Sequence, residues 1–309
     1  MQTVRLAYRD EDRTPVIFCI KEMARQHYDV DVEIVLIKGT KEYEAALFND
    51  SCDVIIEHLE YLYSVAAQGK RVAMFCAPSL GRGLELVIPA EVQSVEAFRG
   101  KSLAVRTSGR PHALVMWLRM MGLENEMKIQ MVSDNEVGRW GQWKKILSGD
   151  CIATFMSDLY LPDALAAGLK VNVLADPAEL GVATPASDIS STRQFLANHR
   201  NRAKAFLRAF CEAIWLGRNN KEVAFRAYRK YMRIDEPKLL ESMHRNYLLT
   251  SIPVKPYPIE DAIQADIEDL STSITELRGK KAADFMDRSL LNELESEGFF
   301  TRLHGQKTK

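Results

Sequence analysis

The feature that most constrains the fold of this chain is an alternation of short apolar runs with helical patterns. Runs rich in Val, Ile, Leu and Ala occupy residues 3–8, 31–37 and 54–56. Apolar residues recur at helical spacing, three or four residues apart, in the stretches that separate the runs. Strand-length runs separated by helix-length patterns are the signature of βαβ units, which build mostly parallel sheets. The sequence therefore predicts an α/β protein.

The alternating pattern occurs twice, which predicts two lobes of similar topology. Residues 6–9 (LAYR) resemble residues 103–106 (LAVR), and a helix that begins with proline is predicted after each run. Residues 77–83 are rich in glycine and other helix breakers, as expected where a chain crosses from one lobe to the next. We expect the chain to divide into residues 1–78 (first part of lobe 1), 79–186 (lobe 2) and 187–309 (return to lobe 1).

The pattern becomes mainly helical after Gly181. Residues 187–191 suit a strand that returns to lobe 1, and a proline-rich loop occupies residues 252–258. Helices are predicted after this loop over residues 259–277 and 289–297. Lobe 1 is therefore expected to be discontinuous in sequence and to carry an added C-terminal helical segment.

The charge balance argues against several classes of partner. Lysine and arginine (41) nearly equal aspartate and glutamate (42), whereas proteins that bind nucleic acids usually carry a basic excess. A basic cluster on one predicted helix is interpreted as a solvated face; it consists of Arg200, Arg202, Lys204 and Arg208. The five cysteines show no metal-ligand spacing, and no stretch is apolar enough to span a bilayer. We expect no nucleic acid, no membrane insertion, no metal and no cofactor.

The candidate site follows from the position of strand ends. In open α/β folds, ligands bind beyond the carboxyl ends of parallel strands, where the N-termini of helices also meet. The residues that follow the predicted strands, or that begin the return strand, are the candidates for ligand binding. They are Tyr8, Arg9, Asp10, Thr14, Glu57, His58, Ser79, Thr107, Ser108, Gly109, Arg110, His112, Ser157, Tyr160 and Asp188.

Residues 107–112 (TSGRPH) have the strongest anion-binding character in this set. Two hydroxyl groups, a glycine that lets the backbone approach closely and the start of a helix suit a carboxylate, a sulfonate or a phosphate. Arg110 can add a bidentate contact. The alternative interpretation is an ordinary capped turn with Arg110 in solvent. Tyr8 and Tyr160 can stack on an aromatic ring, although tyrosine at a strand end is also common at the edge of a core.

Four segments carry a resemblance to a known superfamily. They are residues 95–105 (VEAFRGKSLAV), 118–123 (LRMMGL), 147–150 (LSGD) and 195–209. In this order and spacing they resemble the type II periplasmic-binding superfamily, and within it the nitrate, sulfonate and thiamine-precursor group of solute-binding proteins. The resemblance implies a two-lobed type II periplasmic-binding fold, in which each lobe is a mixed, mostly parallel sheet flanked by helices.

The resemblance also implies a function. It is that of a substrate-binding component of an ABC importer, which binds a small carboxylate, sulfonate or heteroaromatic molecule in the cleft between its lobes and delivers it to a permease. Such a protein is periplasmic or lipid-anchored if a leader has been removed. The chain enters a strand-like run by Thr3 without a signal-peptide pattern, so it is cytoplasmic if it is native at Met1.

One departure from the superfamily pattern leaves an enzymatic alternative open. Glu57 and His58 stand where the superfamily commonly has small residues. Residues 12–14 (DRT), followed by residues 53–62, resemble the dihydroxyphthalate decarboxylases, a leaderless branch of the same superfamily. In this alternative the chain is a cytoplasmic decarboxylase or lyase acting on an aromatic or small carboxylate. Glu57, His58 or His112 would then act as the acid or base.

Overall fold

The computed structural model describes most of the chain as two compact units. The described residues are 2–8, 16–37, 40–57, 60–79, 84–92, 94–106, 112–138, 141–157, 161–175, 187–232, 234–249, 252–272 and 274–305. Unit 1 comprises Met1–Leu80 and Pro185–Lys309, and unit 2 comprises Gly81–Thr184. Of the helices that these residues form, none has the length and apolar character needed to cross a lipid bilayer.

The strands and helices follow one another largely as the alternating pattern predicts. The described strands are β1 (Gln2–Tyr8), β2 (Val30–Leu36), β3 (Val54–Glu57), β4 (Val72–Ser79), β5 (Leu84–Pro89), β6 (Ser102–Arg106), β7 (Lys128–Val132), β8 (Ala153–Ser157), β9 (Val171–Ala175) and β10 (Ser187–Thr192). The described helices are α1 (Val16–His27), α2 (Thr40–Ala45), α3 (Glu60–Ala67), α4 (His112–Met120), α5 (Asp134–Val137), α6 (Lys144–Leu147), α7 (Leu161–Ala166), α8 (Arg193–Asn198), α9 (Arg200–Asn219), α10 (Lys221–Ala227), α11 (Pro237–Ser242), α12 (Glu260–Leu270), α13 (Ala282–Phe285), α14 (Ser289–Ser296) and α15 (Phe299–His304).

The sheets of the two units place their four mutually parallel strands in the same order, while the antiparallel strand comes last in sequence in unit 1 and first in unit 2. The full strand order is β2-β1-β3-β10-β4 in unit 1 and β7-β6-β8-β5-β9 in unit 2. In each sheet one strand, β10 or β5, runs antiparallel to both of its neighbours, and the remaining described pairings are parallel. Each unit therefore has a mixed, mostly parallel sheet flanked by helices, which confirms the fold class predicted from the sequence.

The core of unit 1 shows why its longest helix forms. The apolar residues of α9 recur at spacings of three and four, which places them on one face. That face is fully buried and consists of Ala203, Phe206, Leu207, Phe210 and Ile214. It packs against α1 and β1, and the rings of Phe206 and Phe210 are stacked with their centroids 6.3 Å apart.

The core of unit 2 fixes α4 on its sheet. Trp117 of α4 is 1% exposed and meets the ring of Phe98 edge to face at a centroid distance of 6.2 Å. Both residues belong to one apolar cluster with Leu103 and Val105 of β6. This packing holds α4 beside the strand that precedes it in the chain.

The sequence predicts a single helix over residues 136–147, but the structure divides this stretch. α5 ends at Val137, a 3-10 turn spans Gly141–Trp143, and α6 begins at Lys144. Gly138 has a φ of +83°. Helices commonly end at a residue with a positive φ, and glycine adopts this conformation without a steric penalty because it has no Cβ atom. The ammonium group of Lys144 donates to the carbonyl oxygen of Val137 at 2.6 Å, which satisfies an acceptor at the end of α5.

A second correction concerns the basic face of α9. Three of its cations are not simply solvated, because they form an ion-pair ladder with two glutamates of the α14 region. Lys204 lies 2.9 Å from Glu293 and also contacts Glu297. Arg200 pairs with Glu293, and Arg208 lies 2.7 Å from Glu297. The ladder links α14 and the residue that follows it to α9.

Acidification is expected to destabilise unit 1 through this ladder. The hydrogen bond from Lys204, with help from Arg200, lowers the pKa of Glu293 below its ordinary value of 4.5. A group whose pKa is lowered in the folded state stabilises it above the unfolded pKa, and that contribution is lost as the pH falls through the folded pKa. In urea unfolding at pH values from 7 down to 3, the Glu293→Gln variant should show a weaker dependence of stability on pH than the wild type. Glu276→Gln, at an exposed glutamate of the same unit, is the control, and a wild-type slope in Glu293→Gln would contradict the prediction.

Candidate ligand-binding site

Several predicted site residues lie at one edge of the unit 1 sheet. It is the edge at which the parallel strands of the sheet end. β1 and β3 are parallel, and β10 is antiparallel to both β3 and β4. The carboxyl ends of β1, β3 and β4 therefore lie at the same edge as the start of β10. The residues at this edge are Tyr8, Glu57, Ser79 and Asp188.

The strand register brings these four residues close together along the backbone. Asp188 lies directly opposite Glu57 in the antiparallel pair of β10 and β3. Ser79 lies opposite the residue that precedes Asp188, and Tyr8 lies opposite the residue that precedes Glu57. Four positions that are far apart in sequence thus form one row across the sheet edge.

Two of these four side chains are well described, and both are buried. Tyr8 is 3% exposed and Asp188 is 2% exposed. Burial of a carboxylate costs free energy that its surroundings must offset. Asp188 is thus a buried acidic residue at the strand-end edge where open α/β proteins hold ligands.

At the corresponding edge of the unit 2 sheet, β6 ends directly before the residues that are predicted to bind an anion. β6 runs parallel to β8, so both strands end at the same edge, with Arg106 and Ser157 as their last residues. Ser157 lies opposite Leu84, the first residue of β5. α4 begins at His112, shortly after β6. The N-terminus of such a helix carries a partial positive charge that favours anions.

The predicted site residues differ in how far the structure describes them. Tyr8, Glu57, Ser79 and Asp188 are brought together at the edge in unit 1, and Ser157 and His112 belong to the corresponding region of unit 2. The others lie outside the described residues: Arg9, Asp10, Thr14, His58, Thr107, Ser108, Gly109, Arg110 and Tyr160. Ligand contact by all of these residues, and acid–base roles for Glu57, His58 and His112, stay predictions.

Two buried tyrosines, one before β3 in the chain and one after it, were not predicted from the sequence. The hydroxyl of Tyr43 donates to the carbonyl oxygen of Ile56 at 2.6 Å, and the hydroxyl of Tyr63 donates to Asp266 at 3.1 Å. The apolar spacing around Tyr43 could identify it as a core residue. No local signal could identify the Tyr63 partner, which is 203 positions away in the chain.

A polar groove of about 540 Å³ lies at the opposite edge of the unit 1 sheet, where β1 and β3 begin. Arg5 lies 3.1 Å from Asp53 and 2.8 Å from Asp50, and hydrogen bonding to Asp53 and then to Asp50 raises the pKa of the Arg5 guanidinium. Arg202 lies 3.7 Å from Asp53. Arg5 and Arg202 are thus already paired with carboxylates of the protein. We therefore do not assign anion binding to this groove.

The family model described as NMT1/THI5 like matches residues 25–220. No curated protein sequence matches the chain.

Solved structures share the fold over nearly the whole chain. The ligand binding component of an ABC-type import system from Staphylococcus aureus has a TM-score of 0.71 at 11% identity, covering 95% of this chain and 99% of the other. The periplasmic aliphatic sulphonate binding protein SsuA from Escherichia coli has a TM-score of 0.69 at 16% identity, with coverages of 93% and 92%. The alkanesulfonate-binding protein SsuA from Xanthomonas axonopodis pv. citri, bound to MOPS, has a TM-score of 0.65 at 15% identity, with coverages of 95% and 97%. This likeness confirms the predicted type II periplasmic-binding fold.

Proposed function

This chain belongs to the NMT1/THI5-like family, and from that membership we propose that it is the substrate-binding component of an ABC importer. The observation that carries the proposal is its likeness in fold, over more than nine-tenths of its length, to proteins that bind ligands for such importers. In this role the protein works outside the cytoplasmic membrane and hands its ligand to a permease.

The ligand that suits the predicted residues best is a small organic anion with a sulfonate or carboxylate group. Residues 107–111, which the sequence predicts to form a turn, carry two hydroxyl groups and Arg110, and they directly precede α4 in the chain. Such a turn can surround the oxygens of an anion with hydrogen-bond donors. Two of the solved structures with this fold are of sulfonate-binding proteins, which makes an alkanesulfonate the first probe to test.

Tyr8, Glu57 and Asp188 are proposed to contact the rest of the ligand from unit 1. One tyrosine and two acidic residues at these positions of the sequence suit a ligand that carries hydrogen-bond donors or an apolar surface beyond its anionic group. A simple inorganic anion would leave these carboxyl groups facing like charge, which is unfavourable. We therefore expect organic anions to bind more tightly than sulfate.

The test is a thermal-unfolding screen with ethanesulfonate, MOPS, benzoate, cytosine and sulfate, each at millimolar concentration. A ligand present at 100 times its Kd stabilises the folded state by about 2.7 kcal/mol, which raises the Tm by several degrees. We expect an organic anion, with ethanesulfonate or MOPS first, to give such a shift, while sodium chloride at equal ionic strength gives none. The proposal fails if no probe raises the Tm.

The same experiment separates binding from catalysis. If the protein only binds its ligand, mass spectrometry should detect the ligand unchanged after prolonged incubation with the protein. Consumption of the ligand, with a product that Glu57→Gln abolishes, would contradict the proposal and support the decarboxylase or lyase alternative.

A further inference from the structure

One side of β4 has no neighbouring strand, because β4 lies at the end of the unit 1 sheet. Among the described strands, only β10 pairs with it. The backbone groups on the free side of an edge strand can pair with another chain, and proteins commonly prevent this with charged residues or proline. Residues 72–77 (VAMFCA) contain neither. Protection of this edge therefore has to come from another part of the chain.

Two segments from the C-terminal part of the chain cover that side of β4. The backbone N–H of Ala77 donates to the carbonyl oxygen of Pro256 at 2.8 Å. The backbone N–H of Asp287 donates to the carbonyl oxygen of Met74, also at 2.8 Å, and Met286 forms an isolated parallel bridge with Met74. Because β10 occupies the other side of β4, these hydrogen bonds lie on the side that faces away from the sheet.

Residues 252–258 and 282–288 thus form an edge cover, and neither segment is suited to extend the sheet. Residues 252–258 contain three prolines, and a proline has no N–H to donate to a neighbouring strand. The other segment leads directly into α14, where the Asp287 side chain accepts from the backbone N–H of Ser289 at 2.9 Å. The edge cover therefore satisfies backbone groups of β4 and ends the sheet there.

The two segments of the edge cover are connected to each other. Lys255 lies 2.9 Å from Glu295 of α14. The guanidinium group of Arg288 lies 4.9 Å from the centroid of the Tyr257 ring, within the range of a cation–π interaction. Displacement of one segment breaks its contacts with the other, so we expect the edge cover to open as one unit.

Phe285 and Arg193 hold the edge cover on the rest of unit 1. Phe285 is 4% exposed and belongs to the apolar cluster that contains Tyr63 and Ile267. The side chain of Arg193 in α8 donates to the carbonyl oxygen of Asp284 at 2.8 Å. Removal of the Phe285 ring or of the Arg193 guanidinium should therefore loosen the edge cover without changing any residue of β4 or β10.

We propose that the edge cover keeps the protein from associating with itself through β4. When the cover is displaced, the free side of β4 meets the same side of β4 in a second copy, and the two identical edges pair antiparallel about a two-fold axis. Residues 72–77 are at most 3% exposed in the covered state, and their apolar, uncharged composition favours strand pairing between chains. This inference does not depend on the proposed function.

The first test follows the edge cover by amide hydrogen exchange at Ala77 and Asp287, measured by NMR. Phe285→Ala should accelerate exchange at both amides by about 100-fold, because a large buried ring that holds the cover is lost. Arg193→Ala leaves the apolar cluster intact and should accelerate exchange by about 5-fold, as expected for the loss of one hydrogen bond.

Each variant has a matched control in unit 1. Phe225 of α10 is 5% exposed, so Phe225→Ala removes an equally buried ring from a helix outside the edge cover. Arg25 pairs at 2.8 Å with Asp31 of β2, the strand at the opposite end of the sheet. At temperatures well below the Tm, Phe225→Ala and Arg25→Ala should leave the exchange rate at Ala77 unchanged.

The second test measures self-association by sedimentation velocity between about 5 and about 200 µM protein, a range in which exposed strand edges associate. Phe285→Ala should form dimers whose fraction rises with concentration, and the wild type and Phe225→Ala should show no such rise. In the Phe285→Ala protein, exchange at Ala77 should slow again as the concentration rises, because the second copy then protects that amide.

Wild-type exchange at Ala77 in both Phe285→Ala and Arg193→Ala would overturn the inference, because the cover would then not protect β4. A Phe285→Ala protein that stays monomeric although its Ala77 amide exchanges rapidly would also overturn it, as would equal dimerisation of Phe225→Ala. If Phe285→Ala does not fold, Arg193→Ala decides the question. Faster exchange at Ala77, together with dimers that protect this amide, supports the inference, and faster exchange without dimers refutes it.

Discussion

Replacing Arg110 by alanine is expected to weaken the binding of ethanesulfonate by about 10- to 100-fold, because a hydrogen bond to a charged group contributes about 1.5–3 kcal/mol. The guanidinium group can meet two oxygens of a sulfonate or carboxylate at once. Arg110→Lys keeps the charge but loses this planar, two-point contact, so its affinity should fall between those of the wild type and the alanine variant. Isothermal titration calorimetry measures all three.

The control for Arg110 is another arginine of unit 2. Arg99 is exposed and pairs with Glu126 at 2.9 Å, away from the carboxyl edge of the sheet because it precedes β6. Arg99→Ala should leave the affinity for ethanesulfonate unchanged. Equal affinities in Arg110→Ala and the wild type would show that the anion is held elsewhere.

Replacing Trp117 by alanine is expected to lower the free energy of unfolding of unit 2 by about 4 kcal/mol. Removal of a large buried aromatic side chain typically costs about 3–5 kcal/mol, through lost burial and the cavity left behind. Trp117 is 1% exposed and contacts the ring of Phe98. The change should appear in urea unfolding followed by circular dichroism, as a lower midpoint of the transition that reports unit 2.

Two further variants sharpen this result. Within the described residues, the buried indole nitrogen of Trp117 has no hydrogen-bond partner, so Trp117→Phe removes an unsatisfied donor together with part of the ring. It should therefore cost much less than Trp117→Ala. Met120 lies on the same helix and is 51% exposed, so Met120→Ala should change stability by less than about 0.5 kcal/mol. A loss of similar size in Met120→Ala and Trp117→Ala would refute the assignment of Trp117 to the core.

The sequence predicts the fold well because the fold depends on periodicity that can be read locally. A return strand is predicted over residues 187–191, and the structure has it at Ser187–Thr192. The buried face of α9 follows from its spacing of three and four in the same way. The rule that ligands bind beyond strand ends then selected Tyr8, Glu57, Ser79 and Asp188, which the register brings into one row.

Features that depend on distant partners could not be predicted. Nothing near Tyr63 in the sequence indicates that its hydroxyl meets Asp266, and nothing near Lys204 indicates that it meets Glu293. The break after Val137 depends on a positive φ at Gly138, which apolar spacing alone does not reveal. The outline of the fold was therefore predictable from local periodicity, whereas these long-range contacts and this single backbone angle were not.

The strand order of unit 1 has a consequence for how the chain folds as it leaves the ribosome. β10 lies between β3 and β4 and is the only described strand that pairs with β4. The first 80 residues therefore cannot complete their sheet until Thr192 has been synthesised, whereas Gly81–Thr184 is contiguous and contains every strand of its own sheet. Domains generally fold as units during synthesis. The second unit of the chain is thus the first that can finish folding. β4 cannot pair with β10 until translation has produced residues 187–192.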